Sequence, residues 1–349
     1  MKRVAVVVSL ALFIYSSCTN KNTYNEIENN DFPKRINFQA GKELSFKLHT
    51  KLAMIKELDN HFILFSLTSP DSGIYIFNKK HLSLEKRTGK RGRGPNEIGR
   101  YGTLFTNLDS NSFFVADFQK FLIWKYNVDE LFLDNMYQPK KFKEFKLFPG
   151  AYPLDFVLRK NSLFTLTISE HLIAKYNEHD SITYIAPFKE ELTGFICKEE
   201  RNKAYETRMT TWKNEKTAFA FRYSNIIAIT HENFDPIWII KGPGKNSSGE
   251  HALQDVVYHY QIKSDKHYIY TALLNKPLYE RDEKYGDYIS KKPKCINIYS
   301  WQGEPIAEIY LPLGFTDFYL DRENERIIAF HPEKSHPLHV YNLKDKINL

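Results

Sequence analysis

One short unit of sequence recurs along this chain, and it restricts the fold more than any other feature. A β-rich run, a brief polar turn and a second β-rich run appear as FILFSLTSPDSGIYIFNK (62–79), SFFVADFQKFLIWKYN (112–127), SLFTLTISEHLIAKYN (162–177) and AFAFRYSNIIAITHEN (218–233). A fifth copy joins YIYTALL (268–274) to CINIYSWQG (295–303) across an insertion, and a sixth is RIIAFHPEKSHPLHVYNLK (326–344). The second runs begin near Ile74, Leu122, Leu172, Ile226, Ile296 and Leu338, close to fifty residues apart except across the insertion.

Each copy is followed by a further candidate strand, for example SITYIAPF (181–188), DPIWIIKG (235–242) and EPIAEIYLP (304–312). An inner strand precedes it, as in TLFTNL (103–108), DFVLR (155–159) and FTDFYLD (315–321). Four antiparallel strands in a repeat of about 40–50 residues make one propeller blade. Six copies therefore predict an all-β fold: a six-bladed β-propeller of four-stranded antiparallel blades over 35–349. A pair of β-sandwiches is the alternative, but sandwiches do not repeat one four-strand unit six times. Phe and Tyr are abundant, which suits strands, and helical periodicity is nearly absent. The sixth copy stops after Leu338–Leu343 without a fourth strand. RINFQ (35–39) or LSFKL (44–48) is expected to supply it, which closes the ring and removes exposed sheet edges.

The first residues read as an export signal. Lys2 and Arg3 precede an apolar run from Val4 to Tyr15 that is too short to span a bilayer, and Ser16, Ser17 and Cys18 follow it. Residues 1–17 are thus expected to be a signal peptide, with Cys18 placed where lipoprotein signals put the cysteine that receives the lipid. Ordinary cleavage with Cys18 as an incidental thiol is the alternative. The segment 18–34 is rich in Asn and poor in apolar residues, the composition of a flexible tether. Thr19, Asn20 and Lys21 lack the acidic residues that mark some surface lipoproteins of the Bacteroidetes, which favours an outer-membrane anchor facing the periplasm.

Of the other cysteines, Cys197 and Cys295, two buried thiols are favoured over a disulfide pair. The formal charge is +7, and removing Lys2 and Arg3 from it leaves +5. Charges of both signs are scattered, so no nucleic-acid footprint is present.

At TGKRGRGPNEIGRY (88–101) the chain resembles the TolB-like six-bladed propellers found among Bacteroidetes lipoproteins. Members carry a G-x-G-P-G-E-F stretch after the first blade, then a strand ending in Asp. Here these positions read Gly92, Arg93, Gly94, Pro95, Asn96, Glu97 and Ile98, with SFFVAD ending at Asp117. Asn96 and Ile98 depart from the pattern, although Asn also tolerates positive φ. The resemblance implies fold and location and little chemistry.

GKRGRGP is not a phosphate loop, because Gly94 is followed by Pro95 with no helix behind it. KGPGKNSSG (241–249) fails likewise, since Asn246 follows Lys245. Both stretches are expected to bend the chain from an outermost strand back to the next inner one. In an up-and-down blade such links emerge at the same end as the second-to-third turns. Arg91, Arg93, Lys245, the turn starting at Asp117 and the insertion 275–293 are thus expected to share a face. The insertion brings Tyr279, Arg281, Tyr285 and Tyr288, side chains of the kind that dominate interfaces; a solvated excursion with no partner is the alternative.

No HExxH, no G-x-S-x-G and no Cys/His metal spacing occurs; His336 and His339 have no third ligand nearby in sequence. No cofactor or metal is expected. The leading expectation is a binding or scaffolding lipoprotein that recognises an envelope protein, peptide or glycan, touching the membrane through its lipid only. The alternative is a propeller hydrolase, lactonase or lyase with a dispersed site at the channel mouth.

Overall fold

The second and third strands of the blades read as near-continuous apolar runs because both sheet faces are covered. The computed structural model describes residues 24–28, 31–48, 50, 52–107, 111–145, 152–159, 162–168, 173–176, 182–185, 207–212, 215–243, 256–281 and 288–347. Three short strands come first: β1 (Asn25–Glu28), β2 (Arg35–Asn37) and β3 (Lys42–Glu43). Blade one is β4 (Ala53–Glu57), β5 (His61–Ser66), β6 (Ser72–Asn78) and β7 (Leu84–Lys90). Blade two is β8 (Tyr101–Asn107), β9 (Ser112–Asp117), β10 (Leu122–Asn127) and β11 (Lys140–Glu144), with helix α1 (Val128–Leu133) before its last strand.

Blade three is β12 (Tyr152–Arg159), β13 (Ser162–Ile168), β14 (Ile173–Tyr176) and β15 (Ile182–Ile185). Blade four is β16 (Thr207–Trp212), β17 (Lys216–Phe221), β18 (Ile226–Thr230) and β19 (Pro236–Lys241). Blade five holds β20 (Val256–Ser264), β21 (Tyr268–Pro277), β24 (Cys295–Ser300) and β25 (Pro305–Tyr310), with a hairpin of β22 (Tyr279–Arg281) and β23 (Tyr288–Ser290) between its middle strands. Blade six supplies β26 (Asp317–Asp321), β27 (Arg326–Phe330) and β28 (Leu338–Asn342). Within each blade consecutive strands pair antiparallel, so the six-bladed propeller expected from the repeat is the fold.

Alternation along a strand sends neighbouring side chains to different blade interfaces. Ile63 and Phe65 of β5 join Ile74, Leu104, Phe113 and Val115 between blades one and two. Phe62 and Leu64 point the other way, to Tyr319, Ile328 and Phe330 of blade six. Similar clusters fill the other interfaces, from blades two and three round to five and six. That is why β9 is buried at every position, SFFVAD included.

The ring is closed by an N-terminal strand, but by neither stretch expected to do so. β3 pairs antiparallel with β28, setting Glu43 opposite His339 and Lys42 opposite Val340. RIN forms β2, which lies parallel on β25 at the outer edge of blade five. Residues 44–48 lead onward without forming a strand, and Leu44 and Phe46 are buried between blades six and one. β1 lies parallel on β19 at the outer edge of blade four. β1, β2 and β3 thus form a belt across three successive outer edges, with Phe32 packed edge-on against Tyr299 at 5.3 Å. The paired residues 25–28 fall within the stretch whose composition reads as a tether. β1 and β3, of four and two mostly exposed residues, carry no periodic signal and escape sequence pattern, whereas RIN is a strand as expected but on blade five instead of blade six.

A second latch sits inside the ring. Asp317, at the start of β26, accepts from the backbone N–H of Ile55 in blade one (2.7 Å) and from Phe318 N–H (2.8 Å). It also pairs at 2.8 Å with Lys263 Nζ of blade five, which in turn donates to Ile55 O. Three blades meet on this one carboxylate.

Helix α1 is the one α-helix among the described residues. The Asn127 side chain caps it by accepting from Glu130 N–H at 2.9 Å, and Asp129 and Glu130 complement its first-turn dipole. Cys295 is a free, buried thiol, pushed up to about 12 by burial; Cys197 and Cys18 lie outside the described residues.

Candidate binding face

The inner strand of each blade starts where the preceding blade's link arrives and ends at its first turn. Links and second-to-third turns therefore form one end of the propeller, here the link end, and the remaining turns form the far end.

At the link end, the stretch 91–98 folds into a fixed turn. Ile98 is buried and donates its N–H to Lys90 O (2.9 Å), while Gly92 donates to Ile98 O (3.0 Å). Glu97 accepts from Gly94 N–H at 2.8 Å and pairs with Lys90 at 2.6 Å, so its carboxyl is held below the usual range, first by Lys90 and then by Gly94. A Cβ on Gly92 would fall 2.0 Å from that carboxylate, so a larger residue there would have to shift Glu97 from Gly94 N–H and Lys90. Lys120 Nζ reaches across to the carbonyls of Gly94 (2.5 Å) and Glu97 (2.6 Å). Asn96 does not take positive φ; Phe121 does, at 54°, and is 41% exposed.

The sequence-derived candidates separate here. Asp117 is fully buried and accepts from Gly99, Arg100, Gln119 and Lys120 N–H groups at 2.8, 3.1, 2.9 and 3.2 Å. It joins the blade-one link to the blade-two turn instead of facing a ligand. Arg91 and Arg93 are exposed at this end, as is Arg100, and the described residues give none of them an ion pair. Tyr279 is 36% exposed. Arg281 and Tyr288 stand opposite each other in register in the β22–β23 hairpin, so the insertion continues as a small sheet. Lys245 and Tyr285 lie outside the described residues.

Residues that no linear motif marks gather at the mouth and along the axis. Arg222 lies 5.8 Å from the ring centroids of both Tyr223 and Tyr260. Burial raises the Tyr260 phenol, while Arg222 and Arg208 act on it in the opposite direction. Deeper in, Thr103 donates to Asp155 at 3.4 Å between blades two and three, and Thr210 and Ser264 share a hydrogen bond of 2.8 Å. Lys263 is lowered chiefly by burial, against the pull of Asp317. His259, on β20, is 1% exposed with no hydrogen bond to either ring nitrogen; burial pushes it down to about 3, so it is neutral at neutral pH.

The far end holds a cavity of about 740 Å³ between blades three and four. Arg159 stands in it against the Phe164 and Phe234 rings (5.6 and 5.1 Å) and donates to Thr217 Oγ1 (3.1 Å) and Glu232 O (2.8 Å). Burial lowers its guanidinium. Among the described residues no three His, Cys, Asp or Glu side chains are grouped to hold a metal ion. His331 meets His339 at 4.7 Å, but its Nδ1 is engaged with Gly314 O and its Nε2 with Tyr341. No helix among the described residues is long and apolar enough to cross a membrane.

Comparison with known proteins places this geometry in a group. A family model described as "Domain of unknown function (DUF4221)" matches residues 34–251, more than half of the chain. A solved member of the duf4221 family from Bacteroides vulgatus is 14% identical and superposes with a TM-score of 0.58, covering 86% of this chain and 94% of its own. A "Putative exported protein" from Bacteroides fragilis is 11% identical with a TM-score of 0.56, covering 90% and 98%. At such identities the likeness is one of fold. No curated protein matches the sequence.

Proposed function

This chain belongs to the DUF4221 family, and from that premise we propose that it is an exported, lipid-anchored protein of the bacterial envelope that binds a partner through its link end. The observation that carries the reading is a cluster at the link end: Arg222 lies 5.8 Å from the Tyr260 ring, and Arg208 and Tyr279 are close enough to act on its phenol. Arg91, Arg93 and Arg100 add exposed charge on the same end. Guanidinium groups over or beside phenol rings offer both ring stacking and bidentate hydrogen bonding to acidic groups. Rigid blades hold the loops that present them. The partner class that this chemistry fits is an anionic envelope protein, peptide or glycan. Export and the lipid at Cys18 rest on the signal-like residues 1–17, and a TolB-like ancestry on the stretch 92–98.

The test is co-purification from envelope extracts with the chain and with a variant in which Leu278 is joined to Lys291, two residues already hydrogen-bonded at 2.6 Å. Loss of partners on removing the hairpin, with the melting temperature held, is the expected result. An unchanged set of partners for this variant and for Arg208→Ala would refute the binding face. The hydrolase or lyase reading draws on Asp155 and Asp317 in the channel, but Asp317 is already engaged by two N–H groups and a lysine.

A further inference from the structure

Chain direction and surface chemistry at the far end point to one use. β1 runs parallel to β19, with Asn25 opposite Trp238 and Glu28 opposite Lys241. β19 begins at Pro236, just after the third-to-fourth turn of blade four, so Asn25 lies toward the far end. The described part of the chain therefore begins at the end opposite the links.

Helix α1 stands at that same end, between the third and fourth strands of blade two. It buries Val128 and Leu131 and leaves Leu133 88% exposed, followed by Met136 at 85%. These are the most exposed large apolar side chains among the described residues. Phe132, beside them, is 36% exposed and stacks on His61 at 5.1 Å, which fixes the knob in place. Water gains nothing from such a projection, and clustered apolar exposure marks contact with a protein or a membrane.

We propose that the far end faces the lipid bilayer, with Leu133 and Met136 entering the boundary between headgroups and acyl chains. This rests on the lipid-anchored reading given above. Cys18 precedes Asn25 by seven residues, a span of at most about 25 Å when fully extended. A tether that short, leaving from the far end, keeps that end close to the membrane. Around the knob, charges of both signs interleave without a basic excess: Lys140 pairs with Glu130 at 3.0 Å, Lys141 with Glu144 and Glu85 with His61, beside Lys86, Asp129 and Asp134. Insertion is thus driven by apolar contact, and a zwitterionic surface suffices. The link end then points away from the bilayer, toward partners.

The test uses the chain from Thr19 onward, carrying Cys197→Ser and an N-terminal hexahistidine, held on phosphatidylcholine vesicles that contain a nickel-chelating lipid. An environment-sensitive nitrobenzoxadiazole dye is placed at Met136→Cys, at Leu133→Cys and, on the link end, at Arg93→Cys; Cys295 is buried. At 136 and 133 the emission is expected to rise several-fold, shift to the blue and be quenched by doxyl-labelled lipid, with no change at 93. A silent 136 and 133, or an equal response at 93, would overturn the proposal. So would a signal that grows with protein concentration without vesicles, which would make a second copy the occupant. Anchoring is read separately, as incorporation of labelled palmitate into the full chain expressed in cells and its loss in Cys18→Ser. No incorporation into the unaltered chain would sink the lipid-anchor reading while leaving the vesicle result to decide the surface.

Discussion

Replacing Asp317 tests the idea that the ring is latched from within. The carboxylate is 2% exposed and Lys263 is 18% exposed, so the pair is largely out of water. Asp317→Ala leaves the Ile55 N–H without its acceptor, a loss of about 1–3 kcal/mol for a buried donor. It also strands the Lys263 ammonium, and breaking a buried pair from one side costs about 3–5 kcal/mol. The terms overlap, and Lys263 keeps its bond to Ile55 O, so a net loss of about 4 kcal/mol is expected, near the middle of that range. Urea unfolding reads this directly: the midpoint falls while the slope stays that of the wild type. The double variant Asp317→Ala/Lys263→Met removes the stranded charge and should recover a substantial part of the loss. A single variant within about 1 kcal/mol of wild type, the median worth of an exposed pair, would refute the latch. So would a double variant no more stable than the single.

Three further outcomes follow from the same geometry. Burial pushes His259 down to about 3 and His331 down to about 4, whereas unfolded histidine titrates near 6.5. Below about pH 6.5 the unfolded chain binds the extra protons, so stability is full above that pH and falls on acidification toward pH 4. His259→Phe should flatten this acid limb in a series of melting curves, and a wild-type slope would contradict the assignment. A chain beginning at residue 31 loses, of the described residues, Tyr24 and β1 and should stay folded, while one beginning at residue 48 also loses Ile36, Leu44 and Phe46 from two interfaces and bares the β28 edge. Size-exclusion chromatography separates the two cases, and monodisperse behaviour of the shorter chain would refute the role of the belt. Lys120→Met removes two donors from the 91–98 turn, so amide exchange there should rise with little change in melting temperature; unchanged protection would count against the clamp.

How much of this was legible beforehand depends on how local the physics is. The runs starting near Ile74, Leu122, Ile226, Ile296 and Leu338 coincide with β6, β10, β18, β24 and β28, because apolar content bounded by turn residues is a property of neighbouring residues. The Gly-rich link is a turn, as its Gly and Pro content predicts. Asp117 is a face candidate in sequence because a strand-ending Asp before a polar turn looks available there. Only the fold shows four backbone N–H groups closing on it.

Sequence alone determined the repeat, hence the number of blades and the end of the ring on which links and insertion emerge. Tertiary structure decided the rest: that Lys42–Glu43 closes blade six, that Asp317 binds blades five and one, and that Arg208, Arg222 and Tyr260 meet at the mouth. The physical reason is distance along the chain. A blade is specified by contacts within tens of residues, whereas the axis gathers a few residues from separate blades and β1, β2 and β3 pair with strands more than two hundred residues away, neighbours that exist only once the circle has closed.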